Sequence, residues 1–158
     1  MRFLFRLLSL LPLPVIHLLG GMAGVVVYMV SPTYRRHLKE NMALALGDAE
    51  ARRWRWAAAA SAGRMSLELP RIWMRPLTEA VATVTEVIGW DVVESAKARG
   101  KGIVFLTPHL SCFEITAQVY ATHAPITILY RPPKQTWLQE FIEQGRARPS
   151  LYLAPADL

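Results

Sequence analysis

The chain has 158 residues, is 53% hydrophobic and carries only 19% charged residues, so it can build one domain with a real core. Its formal net charge of +6 calls for an anionic partner, either nucleic acid or a lipid surface. A mean hydropathy of +0.22 favours lipid, and no strand face interleaves aromatic and basic residues as a single-strand nucleic-acid binder needs. The single cysteine, Cys112, excludes an intrachain disulfide and a CxxC metal pair.

From Leu7 to Val30 there is no Lys, Arg, Asp or Glu, and the only histidine is His17. The run is long enough to cross a bilayer, where about 20 apolar residues are needed. Pro12 and Pro14 suit a first helical turn, so the helix should start near Pro14. Three readings compete. A cleaved signal peptide would use Arg2 and Arg6 as its basic start and Gly20 to Gly24 as the small residues near the cut, but the sequence stays apolar through Val30. An interfacial amphipathic helix needs a charged face, which this segment lacks. A retained anchor, residues 1–32, explains the whole run. Arg35, Arg36, Lys39, Arg52, Arg53 and Arg55 follow it and put residues 33–158 on the cytoplasmic side by the positive-inside rule, with Arg2 and Arg6 weighing against.

Tyr34 to Leu46 reads as a helix stopped by Gly47. Asp48 caps a second, Ala49 to about Leu69, expected to end at Pro70. Its face carries Trp54, Ala58, Met65 and Leu69 at helical spacing. The Trp-Arg-Trp stretch at 54–56 suits either a membrane interface or a core tryptophan beside a solvated arginine. After Pro76, Ala80 to Ile88 is β-branched and predicts a strand after a short helical start. Asp91 to Arg99 predicts a helix closed by Gly100 and Gly102. Ile103 to Thr107 is a continuous apolar run, the pattern of a strand buried on both faces. Then come a helix (Phe113 to His123), a strand (Ile126 to Tyr130), a helix (Gln135 to Arg146) and a further strand at Leu151 to Leu153. The expectation is an α/β fold: an N-terminal membrane helix and helical segment, then a partial, mostly parallel sheet with flanking helices.

In such sheets ligands bind beyond the carboxyl ends of the strands. His109 lies two residues past Thr107, and Glu114 follows in the first turn of the next helix. A carboxylate on one imidazole nitrogen fixes the tautomer and leaves the other nitrogen as a base. That base can take the proton of an alcohol as the alcohol attacks a carbonyl. His and Glu five residues apart also arise by chance, so the spacing alone is weak. Cys112 as a thiol nucleophile is conceivable beside a helix start. Ser111 lacks the Gly-x-Ser-x-Gly elbow of a hydrolase.

The segment GKGIVFLTPHLSCFEI, residues 100–115, resembles the His-x4-Asp/Glu block of the lipid A biosynthesis acyltransferases, the lauroyl and myristoyl transferases of lipopolysaccharide assembly. Thr107, His109 and Glu114 match that block. Ser111 stands where glycine is usual, a substitution that matters if the position needs a positive φ, and Phe113 stands where tryptophan is usual. RRHLKENMALALG, residues 35–47, resembles the segment after the family's anchor, and LYRPPKQTWLQEFIEQGRARP, residues 129–149, resembles its Tyr-Arg-Pro-x-Lys block and the Gly-Arg-x-Arg closing the next helix. The resemblance implies a lysophospholipid-acyltransferase-like fold in the inner membrane with its catalytic part in the cytoplasm. It implies an acyl carrier protein thioester as donor, a lipid A precursor as acceptor, and neither metal nor cofactor. His109 becomes the general base and Glu114 its partner. Arg131 and Lys134 become phosphate-binding candidates, with Arg146 and Arg148 as further ones. The alternatives are a glycerol lysophospholipid acyltransferase and a non-catalytic membrane-anchored fragment. The family's chains are longer, so the later strands and much of the acyl groove are expected to be missing from these residues, which alone should have weak activity or none.

Overall fold

The computed structural model describes residues 2–156, and the chain divides into two compact units, Met1–Arg75 and Pro76–Leu158. The first unit is entirely helical among its described residues: α1 (Arg2–Leu10), α2 (Leu13–Val30), α3 (Pro32–Leu46) and α4 (Asp48–Met74). The apolar run expected to start one helix near Pro14 is therefore split, because Pro12 separates α1 from α2. α2, with a mean hydropathy of 2.0, is long and apolar enough to cross a membrane by length and composition. Ser31 closes α2 and opens α3: its hydroxyl accepts from Tyr34 N–H at 3.3 Å, and Pro32 supplies the preset φ of a first helical residue. Gly47, at φ +79°, ends α3 in a conformation that costs other residues strain. Asp48 and Glu50 sit in the first turn of α4 and Arg71 in its last, each complementing the helix dipole.

α4 was expected to end at Pro70 and instead runs four residues beyond it. Proline removes one i→i−4 hydrogen bond, but here its ring is buried and the turn beyond is tied down. Arg71 Nη1 donates to the Leu11 carbonyl at 3.0 Å, Arg75 Nε donates to that of Ser9 at 3.0 Å, and Ile72 and Trp73 are buried.

α2 and α4 run side by side in opposite directions, and glycine sets their spacing. A Cβ on Gly24 would lie 2.1 Å from the Ala59 carbonyl oxygen, and one on Gly63 would lie 2.1 Å from that of Gly20. Both are inside van der Waals contact, so any side chain there drives the backbones apart. Tyr28 and Trp56 meet edge to face at 4.8 Å at one end of this seam, and His17 pairs with Glu68 toward the other.

The second unit holds α5 (Leu77–Val81), α6 (Trp90–Ala98), α7 (Glu114–Ala121), β1 (Ile126–Tyr130), α8 (Thr136–Arg146) and β2 (Leu151–Pro155). β1 and β2 pair in parallel, Ile126 opposite Leu151 through Tyr130 opposite Pro155, so β1-α8-β2 is one strand-helix-strand unit with α7 packed on both strands. The α/β reading holds for this unit, but two expected strands do not form. Thr83 turns the chain back on α5, its hydroxyl on the Ala80 carbonyl at 2.7 Å, and residues 84–88 continue without a ladder. Ile103 to Thr107 forms neither helix nor ladder among the described residues. Val104 is 89% and Leu106 92% exposed, the opposite of a strand buried on both faces. An apolar run becomes a strand only when a neighbour supplies the ladder, and neither free edge of the β1–β2 pair is taken up by this segment.

Candidate functional site

The site lies where the 99–113 loop enters α7. Gly100 and Gly102 have φ of +65° and +76°, and Ser111 has φ +50°. Serine therefore occupies a left-handed corner, which glycine adopts more cheaply. The corner folds the loop over the start of α7. There Ile115 N–H reaches the Cys112 carbonyl at 3.3 Å and Thr116 N–H that of Phe113 at 3.1 Å. The loop packs on α7 through Phe105, which meets Tyr120 edge to face at 4.8 Å, and α6 meets the end of α7 where Trp90 lies 4.3 Å from the His123 ring.

His109 is exposed, with its ring 4.3 Å from that of Phe113. Glu114, the first residue of α7, is 7% exposed. Arg146, from the last turn of α8, grips its carboxylate with two donors: Nε donates to Oε2 at 3.0 Å, and Nη2 donates to Oε1. Their side chains are 15% and 6% exposed. The pair is a bidentate fork, the geometry in which arginine binds a carboxylate most specifically. Glu114 and Arg146, expected to act separately, are thus brought together, while the His109 ring packs on Phe113.

Arg131 and Lys134 are exposed in the loop after β1. Arg148 is half-buried, and burial pushes its guanidinium below its ordinary pKa. Beside these stands a cluster that the sequence reading missed. The Tyr130 hydroxyl, at the end of β1, donates to Glu143 Oε1, and Gln139 Nε2 donates to the same oxygen at 2.9 Å. The bond to Tyr130 first, and that to Gln139 second, hold the Glu143 carboxyl below the usual range. The same bond to Glu143 is the main reason the Tyr130 phenol is raised. The i,i+4 spacing of Gln139 and Glu143 was a readable signal. The reach to Tyr130 was not, because it depends on how α8 folds back onto β1.

Chemically, the arrangement offers an exposed imidazole at a loop beside a helix start, a buried carboxylate fixed by arginine, and two exposed cations beyond a strand end. That suits proton transfer next to an anionic group.

Comparisons with known proteins agree on one family. Residues 2–157 match the family described as bacterial lipid A biosynthesis acyltransferase. A curated relative, the lipid A biosynthesis lauroyltransferase of Escherichia coli (strain K12), is 28% identical over 144 residues, covering 87% of this chain and 46% of the relative. The chain therefore spans about half the length of that relative. No solved structure matches.

Proposed function

Because the chain belongs to the bacterial lipid A biosynthesis acyltransferases, an enzyme family, we propose that it forms the N-terminal part of an enzyme moving a fatty acyl chain from acyl carrier protein to a hydroxyl of a lipid A precursor. His109 is the general base. It takes the proton of the acceptor hydroxyl as that oxygen attacks the thioester carbonyl. The tetrahedral oxyanion then collapses, the carbon–sulfur bond breaks, and the carrier's thiol leaves with a proton. The product is an ester, and no enzyme nucleophile is needed. The observation that carries this reading is the position of His109: exposed, its ring against Phe113, five residues before the buried Glu114.

Glu114 orients the imidazole, and Arg146 holds that carboxylate in place. Arg131 and Lys134 meet the phosphates of the acceptor or of the carrier's phosphopantetheine, and Arg148 is a further contact. The second unit works at the cytoplasmic face of the inner membrane, to which the apolar N-terminal helices attach the protein. The β1-α8-β2 unit is consistent with a lysophospholipid-acyltransferase-like sheet, of which it would be one part.

The test replaces His109 by Ala in the protein carrying this chain, assayed with acyl carrier protein thioester and a phosphorylated disaccharide acceptor. Transfer should fall by about 10²–10⁴-fold, the worth of a general base, with membrane association unchanged. Near-normal transfer would exclude His109 as the base.

A further inference from the structure

The N-terminal unit holds a conflict that a simple membrane span does not resolve. α2 is apolar, yet it is packed along its length against α4, which is not. The contacts run from Tyr28 on Trp56, through Gly24 on Ala59 and Gly20 on Gly63, to His17 on Glu68. Gly21 marks the middle of α2, and a Cβ there would lie 3.3 Å from Arg64 Nε. If α2 stood upright in a bilayer, exposed Arg64 would sit at its midplane, the costliest depth for a cation. Moving α2 away from α4 would break the glycine seam. With 27 residues, α4 is about 40 Å long, longer than the hydrocarbon layer of about 30 Å, and it exposes Arg52, Arg53, Ser61, Arg64 and Ser66 along its course.

The outer face of the unit is different. At 100° per residue, Val15, Leu18, Leu19, Met22, Val26 and Val30 lie opposite the face that Ile16, Gly20, Gly24 and Tyr28 bury against α4. They are exposed, Leu18 by 64% and Val30 by 71%. Phe3, Leu4, Leu7 and Leu10 of α1 are exposed as well. Taken alone, α2 has no charged face. α4 supplies one, and α1, α2 and α4 together have the two-sided character of an interfacial element. Charge complementarity names the occupant. Residues 1–75 contain eleven lysines and arginines against four carboxylates, a net of +7. Arg35, Lys39 and Arg55 line one concave patch with Tyr28, Met29 and Trp56. Arg55 Nε is buried with no hydrogen-bond partner among the described residues. Cations and aromatic rings beside an apolar face fit the headgroup level of an anionic leaflet.

We propose that α1 and α2 lie within a single leaflet of an anionic phospholipid membrane, roofed by α4, with Arg35, Lys39 and Arg55 on the lipid phosphates, and that the chain does not cross the bilayer. This rests on the membrane attachment proposed above and changes its geometry. Lipid reaches the unit from one side only, and both ends of α2 stay on the same side.

The test places a hydrophilic epitope before Met1, after Gly47 or after Leu158 of the full chain, and reads each in spheroplasts and in inverted inner-membrane vesicles. Exposed turns and chain ends tolerate such additions. All three epitopes should be reached only in inverted vesicles. An epitope before Met1 on the side opposite the other two is a single crossing. One after Gly47 opposite the other two is a hairpin of two crossings. Either overturns the proposal while leaving membrane attachment intact. A chain absent from the membrane fraction overturns the attachment itself. A second arm dilutes the chain from detergent onto sealed vesicles of phosphatidylglycerol or phosphatidylcholine. Replacing Arg35, Lys39 and Arg55 together by Gln should lower partition to phosphatidylglycerol by about a hundredfold, at about fivefold per cation, and leave phosphatidylcholine unaffected. Equal partition of the triple variant and the wild type on phosphatidylglycerol overturns the headgroup contact.

Discussion

The two units spend their charge in opposite ways. Residues 1–75 carry the whole excess, a net of +7, whereas residues 76–158 hold seven cations against eight carboxylates. In the first unit α2 and α4 meet through glycine backbones, and Arg36, Lys39, Arg52, Arg53 and Arg64 lie exposed on α3 and α4. In the second, polar side chains tie elements together from within: Glu114 of α7 to Arg146 of α8, and Tyr130 of β1 to Glu143 of α8. The difference separates two uses of polarity. At a surface, unpaired charge selects a partner at long range. Inside, a paired charge fixes geometry and adds little net stability, but it becomes expensive once its partner is removed.

The largest effect should come from breaking the interior pairing. Arg146→Met leaves the buried Glu114 carboxylate without its cation. Loss of one partner of a buried pair costs about 3–5 kcal/mol, which a denaturant melt of the variant should show. A loss below about 1 kcal/mol, the surface-pair range, would mean that the fork behaves as a solvated contact, and the contrast between the units would fail. The glycine seam comes next. Gly63→Leu forces a side chain to within 2.1 Å of the Gly20 carbonyl oxygen. Overpacking of this kind costs about 1–3 kcal/mol, read as earlier proteolysis within residues 2–75. Unchanged protection would show that α2 and α4 can separate without penalty.

The smallest effect concerns pH. Glu143 has a lowered pKa in the fold, so its contribution is present above the unfolded carboxylate range and is lost as pH falls through the folded value. Tyr130 is raised above 10.0, so its contribution is present below that value and is lost as pH rises through the folded one. The bond between them therefore acts on a plateau spanning neutral pH. In thermal melts across pH, Tyr130→Phe should differ from wild type on the plateau and converge with it at both extremes. A difference that does not change with pH would remove the link between this bond and stability.

Much of this was legible in the sequence, and the failures share a cause. Proline and glycine marked most helix boundaries, because a fixed φ, a missing donor or a positive φ acts locally. Gly47 ends its helix as read, while the starts expected near Pro14 and at Tyr34 fall at Leu13, after Pro12, and at Pro32, after Ser31. Pro70 misled because Arg71 and Arg75 anchor the turn beyond it to residues some sixty positions earlier, a contact that no local window contains. The run at 103–107 misled for the same reason: apolarity records a tendency toward burial, while a strand needs a partner from elsewhere in the chain. At the site, the positions of His109 and Glu114 around a loop and a helix start were readable from spacing. The hold of Arg146 on Glu114 was not, since it spans 32 residues. The substitution of serine for glycine at position 111 was informative, and the left-handed φ there is what a glycine position implies.

The glycine seam has one more consequence. Gly20 and Gly24 are one helical turn apart, and they are flanked at the same spacing by Ile16 and Tyr28, both buried. Sliding α4 by one turn, about 5.4 Å, would bring Gly63 against a bulky side chain at either end. The seam is thus a ratchet with both stops occupied. The height of the basic rim relative to the apolar face of α1 and α2 is set by the covalent sequence, and a membrane of different thickness cannot retune it.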